Sequence, residues 1–223
     1  MEMRRRRSKF RRRVQLYTRI GCVILLGAFL VLGGMKLFHI GPFNDRYVEK
    51  TGDDIDAARP PMQVELLTIN NYSRPAIKVE RIKGIVIHYT GNPGSTAMQN
   101  RNYFEGLKDT KETSASSHFV VGLDGEIVQC IPTWEVAYAS NNRNSDTISI
   151  ETCHKTEDGS YTKATYESLV KLTAWLCKKY GLTEEDLIRH YDITGKNCPK
   201  YFVENEDAWD EFKSDVGKAI KRI

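Results

Sequence analysis

The chain has 223 residues, of which 40% are hydrophobic and 28% charged, so it is long enough for one globular domain with additional segments. Its formal net charge of +4 is unevenly distributed, because eight of the basic residues lie among the first 13 positions. The remaining chain holds 25 basic and 28 acidic residues, a balance of −3. This balance argues against a nucleic-acid-binding body and leaves only the N-terminal arginines to explain.

An apolar stretch follows the arginines. Residues 20–35 carry no charge, and beyond Lys36 the apolar character continues to Ile40. At about 1.5 Å per residue, a helix over 20–40 crosses a hydrocarbon core of about 30 Å. The positive-inside rule then predicts a basic cytoplasmic tail at 1–19, a transmembrane anchor at 20–40, and a domain outside the cytoplasm. This span explains the arginines without a nucleic-acid partner.

A cleaved signal peptide is the alternative interpretation of the apolar stretch. The apolar core of a signal peptide is usually shorter, and no cleavage site of small residues directly follows Ile40. An uncleaved anchor is therefore favoured.

The segment 41–62 is mostly polar, contains Gly-Pro and Pro-Pro pairs, and predicts a linker. The rest of the chain, 63–223, is predicted to form one domain. Periodicity and turn signals predict strands at 85–88, 118–122, 126–131 and 147–151 and helices at 96–107, 162–180 and 205–220. Interleaved strands and helices predict an α/β fold with a central mixed sheet flanked by helices.

Two segments carry side chains suited to binding a metal. The run IVIHY at 85–89 predicts a buried strand that presents His88 at its C-terminal end, where sites of α/β proteins are usually built. The segment RHYDITGKNCPKY at 189–201 is predicted to be a loop, because Gly and Pro interrupt it. Imidazole and thiolate are both zinc ligands, so His88, His190 and Cys198 predict a Zn²⁺ site. Three protein ligands leave a fourth position for water, as in catalytic zinc sites.

Four segments together resemble one known family: IVIHYTGNPGSTA, SSHFVVGLDGEIVQCIP, NSDTISIE and RHYDITGKNCPKYF. The chain is similar to type 2 N-acetylmuramoyl-L-alanine amidases, zinc enzymes related to phage lysozyme-type amidases and to peptidoglycan-recognition proteins. The resemblance extends from about Val64 to Val216, with the motifs in the same order. It implies the same fold, and zinc-dependent cleavage of the amide between N-acetylmuramic acid and the L-alanine of the stem peptide.

The resemblance also implies two catalytic residues. Glu151, at the end of TISIE, occupies the position of the general base, and Lys196 that of a lysine that stabilises the oxyanion. Without the resemblance, a strand-terminal glutamate and a loop lysine are more often solvated. Some relatives carry a catalytic tyrosine where this chain has Ser117, which places more weight on Glu151.

Several other polar residues stay outside the predicted site. His118 is expected to be a hydrogen-bonded structural or groove residue, because a fourth protein ligand would close the position that water needs. The polar loop 141–143 either contacts substrate or is a solvated turn, the commoner case. His154 either lines the cleft or is exposed.

The five cysteines form no evident disulfide framework, because their number is odd and their spacing irregular. Cys130 and Cys177 are expected to be packed thiols. The sequence leaves open whether Cys153 is paired or free.

These predictions combine into a membrane-anchored peptidoglycan amidase that acts outside the cytoplasm. The alternative is a non-catalytic peptidoglycan-binding module of the same fold. Relatives that only bind usually lack the cysteine ligand, and Cys198 is present here. The sequence does not define an oligomeric state.

Overall fold

The structure is a computed structural model that describes residues 2–37 and 49–223. These residues form two compact units, of which the first contains helix α1 and the second contains every later element.

The described part of the first unit is helix α1, Glu2–Leu37. Its segment Arg13–Leu37 is long and apolar enough to cross a membrane, a test that signal sequences near an N-terminus also pass. Most of the large apolar side chains from Val14 to Leu37 are exposed, with Phe29 at 82%. The predicted anchor at 20–40 coincides with this helix up to Leu37. Its last residues, and the predicted linker as far as residue 48, lie outside the described residues.

The second unit is built around a mixed six-stranded sheet. Its strands are β1 (Gln63–Val64), β2 (Gly84–Tyr89), β3 (Phe119–Val121), β4 (Ile127–Gln129), β5 (Thr147–Thr152) and β6 (Leu187–Arg189). They are ordered β1-β4-β3-β5-β2-β6. All neighbours pair in parallel except β3 and β4, which form an antiparallel hairpin. Helices flank the sheet, so the predicted α/β fold class is confirmed.

The helices of this unit are α2 (Asp53–Ala57), α3 (Ala97–Thr110), α4 (Lys163–Tyr180), α5 (His190–Thr194), α6 (Lys200–Glu204) and α7 (Glu206–Ile220). The predicted helices at 96–107, 162–180 and 205–220 correspond to α3, α4 and α7. Helix α3 begins with a capping box in which Thr96 and Gln99 bond reciprocally. Helix α4 ends at Gly181, whose φ of +67° is the left-handed conformation that glycine adopts without strain.

The two faces of the sheet are covered by different cores. On one face, the isoleucines of β2 and β5 pack with α4 and α7, and most of these side chains are fully buried. On the other face, Val120 and Val128 pack with Leu67 and with Phe104 of α3. Each fully buried aliphatic or aromatic side chain contributes about 1.5–3 kcal/mol, so the sheet is a rigid platform for groups at its edge.

Helix α4 is buried more widely than its periodicity predicts. Helical periodicity predicts an apolar face of Tyr166, Leu169, Val170, Thr173, Leu176, Cys177 and Tyr180. The structure buries Leu172, Ala174 and Trp175 in addition. The indole Nε1–H of Trp175 donates to the carbonyl of Ile55 at 3.0 Å, and Ile55 packs against the main core. The segment upstream of β1 therefore covers a second side of the helix.

The prediction of a continuous loop at 189–201 is wrong, because helix α5 lies within it and helix α6 begins at Lys200. Helix α5 begins at His190, where the Asp192 carboxylate accepts the backbone N–H of Arg189 at 2.8 Å. Gly195, with a φ of +75°, ends this helix. The Arg189 guanidinium also bonds Glu206 at 2.6 Å and so ties the segment to α7.

Candidate metal centre and active site

The structure brings the three predicted metal ligands together. One nitrogen of His88, one nitrogen of His190 and the sulfur of Cys198 lie within 4.8 Å of one another. All three residues are buried, with 2%, 8% and 2% of their surfaces exposed. The Cys198 sulfur is 3.9 Å from Nδ1 of His88, which is less than the sum of a Zn–S and a Zn–N bond, about 4.3 Å.

The sheet explains why residues so distant along the chain meet. His88 lies near the C-terminal end of β2, and His190 directly follows β6. These strands pair in parallel, so both histidines lie at the same edge of the sheet. Cys198 returns to this edge because its carbonyl accepts the backbone N–H of Tyr191 at 2.8 Å.

The hydrogen bonds of the two imidazoles leave nitrogens free for a cation. Nε2 of His190 lies 3.1 Å from the amide oxygen of Asn141, and its buried Nδ1 has no hydrogen-bond partner within the described parts of the chain. Nε2 of His88 lies 3.2 Å from the Ser140 hydroxyl, and its Nδ1 is on the side of Cys198. Two imidazoles and one thiol are a ligand set that fits a zinc ion, and the unpartnered Nδ1 of His190 offers a lone pair to it.

Burial keeps the imidazoles neutral, as a metal ligand must be. It lowers the pKa of His88 well below 6.5, and the charges of His190 and Lys196 lower it further. The pKa of His190 is lowered for the same main reason and by Lys196. Burial also raises the pKa of the Cys198 thiol to about 12, with Glu151 adding to the effect and the backbone N–H of Tyr89 opposing it. Binding of a divalent cation would favour the thiolate.

Glu151 lies beside this cluster and is not a solvated strand end. It pairs directly with His88 in the register of β2 and β5. The residue is half-buried, and its Oε2 is fully buried and makes no hydrogen bond to any described residue. Burial raises the pKa of Glu151 to about 8, while the charge of Lys196 opposes this shift. Lys196 is itself exposed.

The two other histidines that the structure describes, His118 and His154, do not belong to the cluster. His118 accepts the backbone N–H of Ser149 at 3.0 Å on Nδ1 and lies 2.8 Å from the carbonyl of Glu135 on Nε2. With both ring nitrogens bonded in the core, it has the geometry of a structural residue. His154 is buried and not exposed, and its ring lies 5.0 Å from that of Tyr89.

Ser117 and most of the cysteines are buried. Ser117, at the position of the tyrosine of some relatives, is buried and donates to the carbonyls of Phe119 and Ser149 at 2.9 and 3.0 Å. All five cysteines are free thiols, and Cys130, Cys153 and Cys177 are buried.

A cavity of about 700 Å³ opens beside the segment that follows His88. No charged side chain lines it, and its walls are Thr90, Asn92, Pro93, Gly94, Ser95, Gln99, Asn100 and Tyr103. The Thr90 hydroxyl is buried and lacks a hydrogen-bond partner among residues 2–37 and 49–223. The cavity therefore offers uncharged polar groups beyond the C-terminal end of β2.

Sequence reasoning missed Ser140 and Asn141. Asn141 begins the polar loop for which substrate contact and a solvated turn were the two alternatives, and its side chain bonds His190. Its residue type carries no signal for this role, because the contact joins positions 49 residues apart in the chain.

The sheet order and the buried His–His–Cys cluster define a class: a mixed α/β domain with a metal-type site at the C-terminal edge of its parallel strands. The model of one protein family, described as N-acetylmuramoyl-L-alanine amidase, matches residues 78–201. The chain belongs to this family.

Two curated relatives come from bacilli. The N-acetylmuramoyl-L-alanine amidase CwlL of Bacillus licheniformis is 36% identical over 165 residues, covering 68% of this chain and 45% of that protein. The N-acetylmuramoyl-L-alanine amidase BlyA of Bacillus subtilis (strain 168) is 34% identical over 182 residues, covering 70% and 48%. The chain thus spans less than half the length of these relatives.

A solved structure shares the fold. The structure of PlyL superposes with a TM-score of 0.62 at 23% identity, covering 72% of this chain and 99% of that one.

The buried Glu151 carboxyl group, which has no hydrogen-bond partner among the described residues, predicts that the stability of the protein depends on pH. In the metal-free protein, the folded state holds a proton on Glu151 between pH 4.5 and about 8, whereas the unfolded state has lost it. The stability contributed by this group is therefore fully present below pH 4.5 and falls as pH rises through that window.

The glutamine in Glu151→Gln stays neutral at every pH. We therefore expect the unfolding free energy of the variant, relative to that of the wild type, to increase by at most about 1.4 kcal/mol per pH unit between pH 4.5 and about 8. Urea unfolding of the metal-free protein at several pH values measures this difference. Glu167→Gln, an exposed carboxylate on α4, is the control. An advantage of Glu151→Gln that does not change with pH would contradict the prediction.

Proposed function

We propose that this protein is a zinc-dependent peptidoglycan hydrolase that cleaves the amide between N-acetylmuramic acid and the L-alanine of the stem peptide. The observation that carries the proposal is the cluster of His88, His190 and Cys198 beside the unpartnered carboxylate of Glu151. The names of the curated relatives support the same reaction.

The proposal assigns the metal to His88, His190 and Cys198. Zinc, when bound, lowers the pKa of a coordinated water and polarises a carbonyl group. Three protein ligands leave room for water and substrate, in contrast to a structural site with four. The burial of all three side chains keeps competing water away from the ligands.

Glu151 is assigned the proton transfers. Its carboxylate accepts a proton from the attacking water as the water oxygen bonds to the carbonyl carbon. It then delivers that proton to the amide nitrogen as the carbon–nitrogen bond breaks, so that an amine leaves. Burial raises the pKa of the Glu151 carboxyl in the metal-free protein, and the charge of bound zinc would lower it again, toward the range in which one group both accepts and delivers a proton near neutral pH.

We assign to Lys196 the stabilisation of the negative charge that develops on the carbonyl oxygen. Its ammonium is close enough to the site to lower the pKa of His88, His190 and Glu151. A preorganised positive charge stabilises the oxyanion more than the neutral amide, which is the condition for accelerating the reaction.

Metal removal tests the proposal as a whole. We expect full-length protein in detergent to release dye from labelled, purified cell walls, to lose this activity with a chelator, and to regain it with added zinc. Cys198→Ser should lower both zinc content and release, because it removes the thiolate. Zinc-loaded protein that binds walls but releases nothing would instead establish the binding module.

Substitution of the base separates chemistry from metal binding. We expect Glu151→Ala to retain zinc in a metal assay while its turnover falls at least about 100-fold, the usual contribution of general base catalysis. Lys196→Ala should also retain zinc and turn over more slowly. Glu157→Ala, an exposed carboxylate in the loop after β5, is the control. Stem peptides released by Glu151→Ala at the wild-type rate would refute the assignment.

We further propose that α1 anchors the protein with its arginines in the cytoplasm and the hydrolase domain outside. The apolar segment Arg13–Leu37 and the arginines that precede it support this orientation. In bacterial protoplasts, we expect added protease to remove the domain while an N-terminal tag stays protected until lysis. Recovery of the mature protein without its N-terminal segment would show a cleaved signal peptide instead.

A further inference from the structure

We infer that Ser140 and Asn141 are positioning residues: this adjacent pair orients both imidazoles of the metal cluster and selects the ring nitrogen that each presents. The inference rests on the proposed zinc site. It concerns how tightly and in what geometry a metal is held, and its test does not depend on hydrolysis.

The contact between Asn141 and His190 defines the tautomer of His190. The distance from Nε2 to the Asn141 amide oxygen is 3.1 Å. A carbonyl oxygen only accepts hydrogen bonds, so Nε2 must carry the proton. The lone pair then lies on Nδ1, the buried nitrogen that has no partner in the described chain.

Ser140 has the matching relation to His88. Its hydroxyl oxygen is 3.2 Å from Nε2 of His88, while Nδ1 of the same ring lies 3.9 Å from the Cys198 sulfur. A hydroxyl can donate or accept, and the tautomer that leaves the Nδ1 lone pair on the side of the cluster is the one in which Nε2–H donates to Ser140. Partners of this kind hold ligating histidines in one ring orientation and raise their basicity as ligands.

The turn that carries both residues is itself held in place. The amide oxygen of Asn144 accepts the backbone N–H groups of Ala139 and Ser140 at 3.1 and 2.5 Å. The backbone N–H of Arg143 donates to the carbonyl of Ser140 at 2.9 Å. Ser140 is only 1% exposed. A single turn therefore orients two ligands that come from β2 and from α5.

The backbone of Asn141 is an independent observation. Its φ of +52° lies in the left-handed region, which asparagine and aspartate adopt more readily than other residues with a side chain but at a higher cost than glycine. The residue is exposed, so packing of its side chain does not explain the conformation. Strained backbone at a site is expected where the side chain is needed there, and the His190 contact is what Asn141 offers. Glycine would relieve the strain and remove the contact together.

The experiment compares Asn141→Gly with Asn142→Gly in the full-length protein in detergent. Asn142 is an exposed asparagine of the same turn and bonds neither imidazole, which makes it a matched control. Zinc affinity is measured by competition with a chelator, the ligand geometry by the absorption spectrum of the Co²⁺-loaded protein, and stability by thermal unfolding of the metal-free protein.

We expect Asn141→Gly to weaken zinc binding about 10- to 100-fold and to alter the Co²⁺ spectrum, while its metal-free stability is unchanged or higher. Asn141→Asp keeps an acceptor oxygen and tolerates the left-handed conformation, so it should bind zinc nearly as wild type does. Ser140→Ala should weaken zinc binding through His88, and the double variant more than either single one.

Wild-type zinc affinity in Asn141→Gly would overturn the inference, as would equal effects of Asn141→Gly and Asn142→Gly on affinity and stability. A wild-type protein that binds neither zinc nor cobalt would overturn the metal site and, with it, this inference. Intact metal binding that Asn141→Gly leaves unchanged would overturn this inference alone.

Discussion

The pairing of β2 with β5 is the constraint on which the rest of the structure depends. The strands pair in parallel from Gly84 and Thr147 to Tyr89 and Thr152, which places His88 beside Glu151. Side chains alternate along each strand, so the isoleucines enter the main core and these two residues share the opposite face. A slip by one residue would exchange the two faces. The hydrophobic core therefore sets the distance between the proposed ligand and the proposed base.

Burial has opposite effects on the groups at this edge. It favours neutral imidazoles, which suits metal binding, and it raises the pKa of the Cys198 thiol, which opposes binding until a cation is present. It also holds a proton on Glu151 that a solvated carboxyl would release. The same desolvation that destabilises the metal-free protein tunes these groups, which is the usual conflict between stability and function at a site.

Local patterns predicted the residues of the cluster but not their surroundings. His88 was identifiable because a run of branched apolar residues precedes it, and the strands of the β3–β4 hairpin because turn signals separate them. Helix α5 was missed because it is only five residues long: the Asp192 carboxylate caps its start, and Gly195 ends it before Pro199 is reached. The wider burial of α4 and the role of Asn141 depend on contacts between distant positions, which periodicity and spacing do not encode.

A peptidoglycan-binding module and an amidase can share this fold, so the chemistry of the site must distinguish them. Recognition alone needs polar and aromatic groups on a groove, as the uncharged cavity beside Thr90 provides. It does not need a buried carboxylate without a hydrogen-bond partner, nor an asparagine in the left-handed region bonded to a histidine. The desolvated carboxyl lowers the stability of the metal-free protein as pH rises, and both features lie at the His–His–Cys cluster. Their placement favours catalysis, because proton transfer and an oriented metal ligand are the functions that such groups serve.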